Sequence, residues 1–350
     1  MKKPIQRRDF LRYSGCWMLG GISVSRDNAV RKEVQQQIQA GLIRGAVWTS
    51  AKNDTFFCEG LEQKIPSITK MSPDSRFDLA SVTKTFTAAA CSLLVVEGKL
   101  EPDIPFTKYL PEHILGKECD ITVRDLAMHV GGFDNSKPYQ SPDEKLFHRE
   151  LFAKLPVRQR LTAYEYSCYN YILLGKMVER ITGKRLDVFC KERIFEPLQM
   201  FHTCWGPLPN SEHVVQVPWA QKIGAISDET AHFCPFPIGN AGAFSTISDM
   251  RRYAADLQER KHFPQEYYDL QFSCQYEKKG IRRSFGWDMS ANLRPEGLSS
   301  RTIFHSGFTG QTLWIDPENA FYAVVLTCRT GDWGQALQGR KKIAELLKKQ

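Results

Sequence analysis

Ser81 and Lys84 stand three residues apart at the head of an apolar run, Thr85-Phe86-Thr87-Ala88-Ala89-Ala90-Cys91-Ser92-Leu93-Leu94-Val95-Val96. Residues three apart in the first turn of a helix share a face, so the lysine amine reaches the serine hydroxyl. The positive end of the helix dipole favours the negative charge that develops as the proton leaves. This pattern suits attack by an activated serine on a carbonyl. A second Ser-x-x-Lys, Ser67-Ile68-Thr69-Lys70, lies between Pro66 and Pro73 in a polar stretch without apolar periodicity and reads as a surface loop or short strand. A lysine with its ordinary pKa of about 10.4 is protonated at neutral pH, so Lys84 acts as a base only where burial or a neighbouring cation lowers that value by roughly three units.

The elements that must position this pair come from both ends of the chain. Residues 30–40 predict an amphipathic helix with Val30, Val34, Ile38 and Leu42 on one face, and residues 45–50 and 55–60 predict a hairpin. The strand-like Arg76-Phe77-Asp78-Leu79-Ala80 feeds the Ser81 helix, which Gly98 stops. From about residue 100 to 239 the pattern is helical pieces between proline- and glycine-bearing loops. Within it, Thr122 caps a short helix, and residues 170–182 predict an apolar-faced helix ended by Gly183. Strands return at 285–289, 302–305, 311–315 and 321–327, the last two forming a hairpin across Asp316-Pro317-Glu318-Asn319, and a helix closes the chain at 335–349. The fold class is α+β: an antiparallel sheet flanked by terminal helices, with a mostly helical lobe inserted. The sheet lobe takes about 26–99 and 245–350, and the helical lobe about 100–244.

The chain has 350 residues, 42% of them hydrophobic, enough for a large core. Its net charge of +8 is spread along the sequence, which argues against nucleic acid as a partner. No run of 18 apolar residues is present, so no transmembrane helix is expected. Residues 1–25 resemble a twin-arginine export signal: Arg7-Arg8-Asp9-Phe10-Leu11 precedes the apolar 16–22, and Ser23 or Ser25 supplies a small residue for cleavage. The protein is expected to be periplasmic or otherwise exported, a cytoplasmic location being the alternative. Among ten cysteines there is no C-x-x-C, and nine remain once Cys16 is set aside, so buried free thiols are expected and neither a disulfide framework nor a metal site.

Several segments together resemble the serine β-lactamase and penicillin-binding-protein superfamily, most of all its class C β-lactamase-like branch. They are Arg76-Phe77-Asp78-Leu79-Ala80-Ser81-Val82-Thr83-Lys84, Ile121-Thr122-Val123-Arg124-Asp125-Leu126-Ala127-Met128-His129-Val130-Gly131-Gly132-Phe133, Tyr166-Ser167-Cys168 with the Leu173-Leu174-Gly175 helix, Ala241-Gly242-Ala243-Phe244-Ser245-Thr246-Ile247-Ser248-Asp249-Met250, and His305-Ser306-Gly307-Phe308-Thr309-Gly310. The resemblance implies a β-lactamase/transpeptidase-like fold and a serine hydrolase that works through an acyl-enzyme without metal or cofactor. Ser81 would be the nucleophile, with Lys84 and Tyr166 moving protons. The backbone N–H groups of Ser81 and Phe308 would form an oxyanion hole, each worth about 3 kcal/mol. His305, Ser306 and Gly307 would edge the substrate strand, glycine leaving room for the approaching carbonyl.

Two departures shape the substrate expectation. The family's second motif is Tyr-x-Asn, and here the third position is Cys168, a poor partner for a substrate amide and for the lysine. Asn170, in the next helical turn, is a candidate replacement. Residues 226–231 differ from a related subgroup and are expected to line or brace the cleft mouth. Efficient β-lactam turnover is therefore disfavoured relative to an esterase or a D-alanyl carboxypeptidase-like peptidase acting on a small-molecule ester, a peptide or a peptidoglycan-like substrate. The alternative, from another class, is a catalytically silent binding or scaffold protein on the same fold. The sequence leaves the oligomeric state open.

Overall fold

A computed structural model describes residues 23–52, 55–64, 67–136, 140–209, 213–220 and 222–350. The export-signal reading of residues 1–22, with Cys16, lies outside them. Twelve strands are present among the described residues: β1 (Ile43–Ser50), β2 (Phe57–Gln63), β3 (Thr69–Lys70), β4 (Phe77–Asp78), β5 (Cys204–Trp205), β6 (Ala243–Ser245), β7 (Tyr276–Lys278), β8 (Ile281–Ser284), β9 (Trp287–Asp288), β10 (Ile303–Ser306), β11 (Gln311–Asp316) and β12 (Phe321–Arg329). Nine form one antiparallel sheet in the order β3-β2-β1-β12-β11-β10-β9-β8-β7, so the two chain ends meet at the centre, where β1 pairs with β12. The other three make a small sheet, β4-β6-β5.

The period-two alternation of a strand explains why the central strands are apolar on both faces. Ala46, Trp48, Ala323, Val325 and Trp314 point to one cluster, with Val30, Val34, Ile343 and Leu347. Val47, Val324, Leu326 and Leu313 point to the other, larger one. The first cluster is roofed by the terminal helices α1 (Ser23–Gln39) and α9 (Trp333–Lys348). Against the second lies α2 (Thr83–Val96), whose residues from Thr83 to Leu94 are all buried, a helix enclosed on every side as its uniformly apolar sequence requires.

The remaining helices are α3 (Val123–Ala127), α4 (Glu144–Phe152), α5 (Cys168–Thr182), α6 (Leu186–Cys190), α7 (Ile247–Glu259) and α8 (Gln265–Phe272). Thr122 caps α3 in a reciprocal capping box with Asp125, and Gly183 ends α5 in the left-handed conformation at φ 68°. α5 starts two residues before the expected Asn170, because Asn135 Oδ1 accepts the Cys168 N–H at 2.8 Å and extends the helix backwards. α1 begins at Ser23, earlier than the apolar stripe indicates, so Ser23 and Ser25 fall in its first turn. The strand expected at 285–289 is broken by Gly286, which turns at φ 99° between β8 and β9. A Cβ there would lie 2.4 Å from Ala88 of α2. Residues 247–272 carry no element in the sequence reading, yet α7 packs on β12 and α8 on α2. The legible sign of α7 was Thr246, whose side chain accepts the Asp249 N–H. No helix among the described residues is long and apolar enough to cross a membrane.

His113, between Leu110 and α3, is enclosed by Phe106, Phe133 and Tyr169, and its Nε2 is 2.8 Å from the Tyr169 hydroxyl. Burial pushes its pKa down to about 4. Between that value and the ordinary 6.5 the unfolded chain binds a proton that the folded chain does not, so stability falls as pH drops through this window. Urea unfolding at several pH values should show this loss between about pH 6.5 and 4, and His113→Gln should flatten it. An unchanged slope in the variant would remove His113 as the cause.

Candidate active site

The Ser81 turn is built by β4. Its pairing with β6 places Asp78 opposite Phe244, and the buried Asp78 carboxylate accepts the N–H of Ala80 and that of Ser227, each at 2.8 Å. Burial raises the pKa of Asp78 and the two hydrogen bonds oppose that rise. Ala80 is held at φ 44°, a conformation a non-glycine residue adopts only when its surroundings impose it. The chain then makes one 3-10 turn over Ala80–Val82 and enters α2. Ser81 leaves this turn with its hydroxyl in the cleft.

Lys84 is fully buried and spends its donors on three acceptors: Ser81 Oγ at 3.0 Å, the Asn240 carbonyl at 2.9 Å and Cys168 Sγ at 3.4 Å. An ammonium has three N–H groups, and here three acceptors face it. Burial acts to lower the Lys84 pKa, but Cys168, Tyr166 and Asp228 outweigh it and hold the group above the ordinary lysine value. The lowering that would make Lys84 a base does not occur. The resting residue is a cation, because the polar atoms around it compensate its desolvation.

Tyr166 lies in the extended segment before α5 and lines the same cavity as Ser81. The Lys84 Nζ stands 5.0 Å from the centre of its ring. Burial raises the Tyr166 pKa, and the Lys84 charge works against that rise. The ring of His129 supports Tyr166 from below at 4.5 Å between centroids. His129 Nδ1 accepts the Ser167 N–H at 3.2 Å, which assigns the proton to Nε2. Burial first, then the Arg283 and Lys84 charges, keep this imidazole neutral. Asn170 faces His129 at 3.2 Å instead of Lys84, so it does not take the place of the missing motif asparagine. Cys168 itself fills that place at the lysine.

On the opposite wall β10 brings up His305 and Ser306. His305 is buried, with Nδ1 3.1 Å from the Ser306 carbonyl, and burial and the Lys84 charge hold it neutral. At Gly307 a Cβ would lie 2.4 Å from the Leu79 carbonyl and 2.8 Å from Gln311 Oε1, so glycine lets β10 close on the Ser81 turn. Phe308 follows, its carbonyl accepting from Arg329 Nε at 2.6 Å. The N–H groups of Ser81 and Phe308 donate to no described residue.

Two cavities meet at Ser81. One of about 380 Å³ is lined by Tyr164, Tyr166, Arg283, His305, Phe308 and Trp333, among others. One of about 240 Å³ is lined by Asn135, Cys168, Trp219, Asp228 and Thr230. Residues 227–230 thus line the cleft, and they also brace it, since Asp228 Oδ1 accepts from the Thr230 and Ala231 N–H groups and from Asn240 Nδ2. Arg283 and Asp288, paired at 3.0 Å, were not found from the sequence, and no spacing announces them because they come from β8 and β9. Asp78 and His129 lay inside the recognised segments without a role, and Asn240 contributes its carbonyl to Lys84 and its Nδ2 to Asp228. The nine described cysteines are all unpaired thiols.

A family model described as Beta-lactamase matches residues 30–348. A protein of Escherichia coli (strain K12) named "Putative D-alanyl-D-alanine carboxypeptidase" is 27% identical over 373 residues, covering 88% of this chain and 83% of the relative. A class C beta lactamase structure superposes with a TM-score of 0.75 at 18% identity, covering 95% of this chain and 99% of that one. EstCE1, a hydrolase with promiscuous acyltransferase activity, superposes at 0.74 with 18% identity, covering 93% and 98%.

The close approach at Gly307 gives a direct test of how β10 and the Ser81 turn are joined. Gly307→Ala should yield a folded protein whose melting temperature drops and whose Ser81 reacts with an acylating reagent at least tenfold more slowly, because Phe308 is displaced. Unchanged reactivity would show that the contact with Leu79 does not set the cleft.

Proposed function

The chain belongs to the beta-lactamase family, within the serine β-lactamase and penicillin-binding-protein superfamily, and on that footing we propose that it hydrolyses esters or D-alanyl peptides through an acyl-enzyme on Ser81. The observation that carries the proposal is the contact of Lys84 Nζ with Ser81 Oγ at 3.0 Å, with the Tyr166 ring 5.0 Å from the same Nζ. In this reading the Lys84–Tyr166 pair gives up one proton and then accepts the Ser81 hydroxyl proton as Oγ bonds to the substrate carbonyl carbon. The oxyanion accepts from the two N–H groups of Ser81 and Phe308 that have no other described partner. When the tetrahedral species collapses, the leaving group takes the proton from Tyr166. Water then attacks the acyl carbon, its proton passing to Tyr166, and the acid departs as Ser81 regains its hydrogen.

Cys168 retains a contact with Lys84 but supplies no amide to a substrate amide side chain, which favours esters over β-lactams and over D-alanyl peptides that carry such an amide. The E. coli relative's name and that of EstCE1 support the proposed range of esters and peptides. Export, inferred from the leader, is the companion proposal.

The reading is tested by intact mass and peptide mapping after incubation with a fluorophosphonate. Ser81 should carry the adduct, Ser81→Ala should carry none, and Lys84→Ala should label slower by at least a hundredfold. A folded protein that takes no label would be a silent scaffold.

The protonation state sets the pH dependence. Both Lys84 and Tyr166 are held above their ordinary values, so at neutral pH the reactive, singly deprotonated pair is a minor form. Its population grows about tenfold per pH unit until the raised value is reached. The labelling rate should therefore climb with near-unit logarithmic slope from about pH 7 to 9 without levelling. A plateau beginning at neutral pH would mean that Lys84 is neutral in the working enzyme.

A further inference from the structure

The two cavities beside Ser81 differ in which of the residues around Lys84 they touch. Tyr166 lines the larger one and Cys168 the smaller. Under the acyl-enzyme reading above, on which this step depends, the departing group takes its proton from Tyr166 and so occupies the larger cavity. The acyl group then faces Cys168, Asp228 and Thr230.

The walls of the larger cavity are aromatic and apolar: Tyr164, Leu293, Phe304, Phe308 and Trp333. Trp333 and Phe308 are 40% and 54% exposed, large rings at the cleft rim, Phe308 being packed also against Trp219 and the Arg329 guanidinium. The cavity contains one guanidinium, Arg283, and that group is closed. Its NH1 is 3.0 Å from Asp288 Oδ2, its Nε and NH2 are enclosed by protein without partners, and its guanidinium carbon lies 5.2 Å from the Tyr164 ring centre. Asp288 is closed as well, since its Oδ1 accepts the Ser290 N–H at 2.7 Å. The neighbouring His305 is neutral. An entering carboxylate would meet apolar rings and a guanidinium whose NH1 is held by Asp288 and whose other nitrogens present no accessible surface, and would lose its hydration without a reachable charged partner in return.

We infer that the leaving-group side of the cleft selects an uncharged, apolar alcohol and rejects a leaving group that carries a carboxylate, which makes the preferred substrate a neutral ester and not a peptide with a free C-terminus. The aromatic rim supplies the selectivity through ring burial, and the Arg283–Asp288 pair supplies the exclusion.

The test uses one acyl group throughout. Benzyl acetate and 2-methoxyethyl acetate, whose alcohols have similar acidity, are compared with O-acetyl-D-lactate. Benzyl acetate should be turned over with kcat/KM about tenfold above the methoxyethyl ester, as expected for burial of one ring, and O-acetyl-D-lactate should be slowest. Trp333→Ala should bring the benzyl-to-methoxyethyl ratio down severalfold. Asp288→Asn, which frees one arm of Arg283, should raise O-acetyl-D-lactate turnover relative to benzyl acetate. Turnover of O-acetyl-D-lactate at or above that of benzyl acetate overturns the inference, as does a benzyl preference that survives Trp333→Ala. Fluorophosphonate labelling of Ser81 on the same preparation separates the two levels: no label defeats the acyl-enzyme reading itself, whereas a labelled enzyme that prefers the lactate ester defeats only the leaving-group assignment.

Discussion

A buried ammonium is the constraint around which the cleft is arranged. Lys84 has no exposed surface, and a charge in that position is tolerable only when every N–H finds an acceptor. The three acceptors come from three separate stretches of chain: the Ser81 turn, the start of α5 at Cys168, and the turn at Asn240. Losing one partner of such a buried charge costs about 3–5 kcal/mol, so the lysine works as a tie that holds these segments in one arrangement. The chemistry proposed for the site and the packing of the site thus have a common cause.

The Asn240 turn shows how tightly the rest of the structure follows from that tie. Its neighbour Gly239 has its carbonyl bonded by Thr87 Oγ1 of α2 at 2.7 Å, and a Cβ on Gly239 would lie 2.1 Å from the Tyr171 carbonyl of α5. The turn is therefore wedged between α2 and α5, and the Asn240 side chain ties it to Asp228. The same logic holds across the cleft. Gly307 lets β10 close on Leu79, and Thr309 Oγ1 bonds the Asp78 carbonyl at 2.7 Å, so the sheet edge and the nucleophile turn move as one body. The N–H groups of Ser81 and Phe308, on the two sides of this junction, are left without a described partner.

Much of this was legible in the sequence because local rules wrote it. The pairing of Ser81 with Lys84 follows from helical spacing, the caps at Thr122 and Gly183 follow from residue type, and the central strands follow from apolar alternation. Tyr166, Cys168 and His305 were found through family segments and do converge on Ser81. What escaped is non-local. Arg283 and Asp288 are an ordinary arginine and aspartate on adjacent short strands until the fold buries them beside Tyr164. Asn170 stands one helical turn from nothing in particular in the sequence, and only the position of His129 decides where its amide goes. For Lys84 the sequence states only the condition under which it is a base, because the number of acceptors that meet the amine depends on three loops whose placement no local pattern encodes.

Cys168 shows how one position can keep its structural duty while changing its chemical one. A thiol is large enough to touch the ammonium, and a long sulfur contact of 3.4 Å is adequate to complete the set of acceptors around Lys84. An asparagine would do the same with its carbonyl oxygen and would still have an amide N–H₂ to offer a substrate; the thiol has a weak donor and no second polar arm. Holding the lysine and recognising an amide are therefore separable demands, and this chain meets the first with a residue that forgoes the second. A substrate whose acyl group presents no amide loses nothing by that exchange, and Lys84 keeps its contact with Ser81 and its place beside the Tyr166 ring.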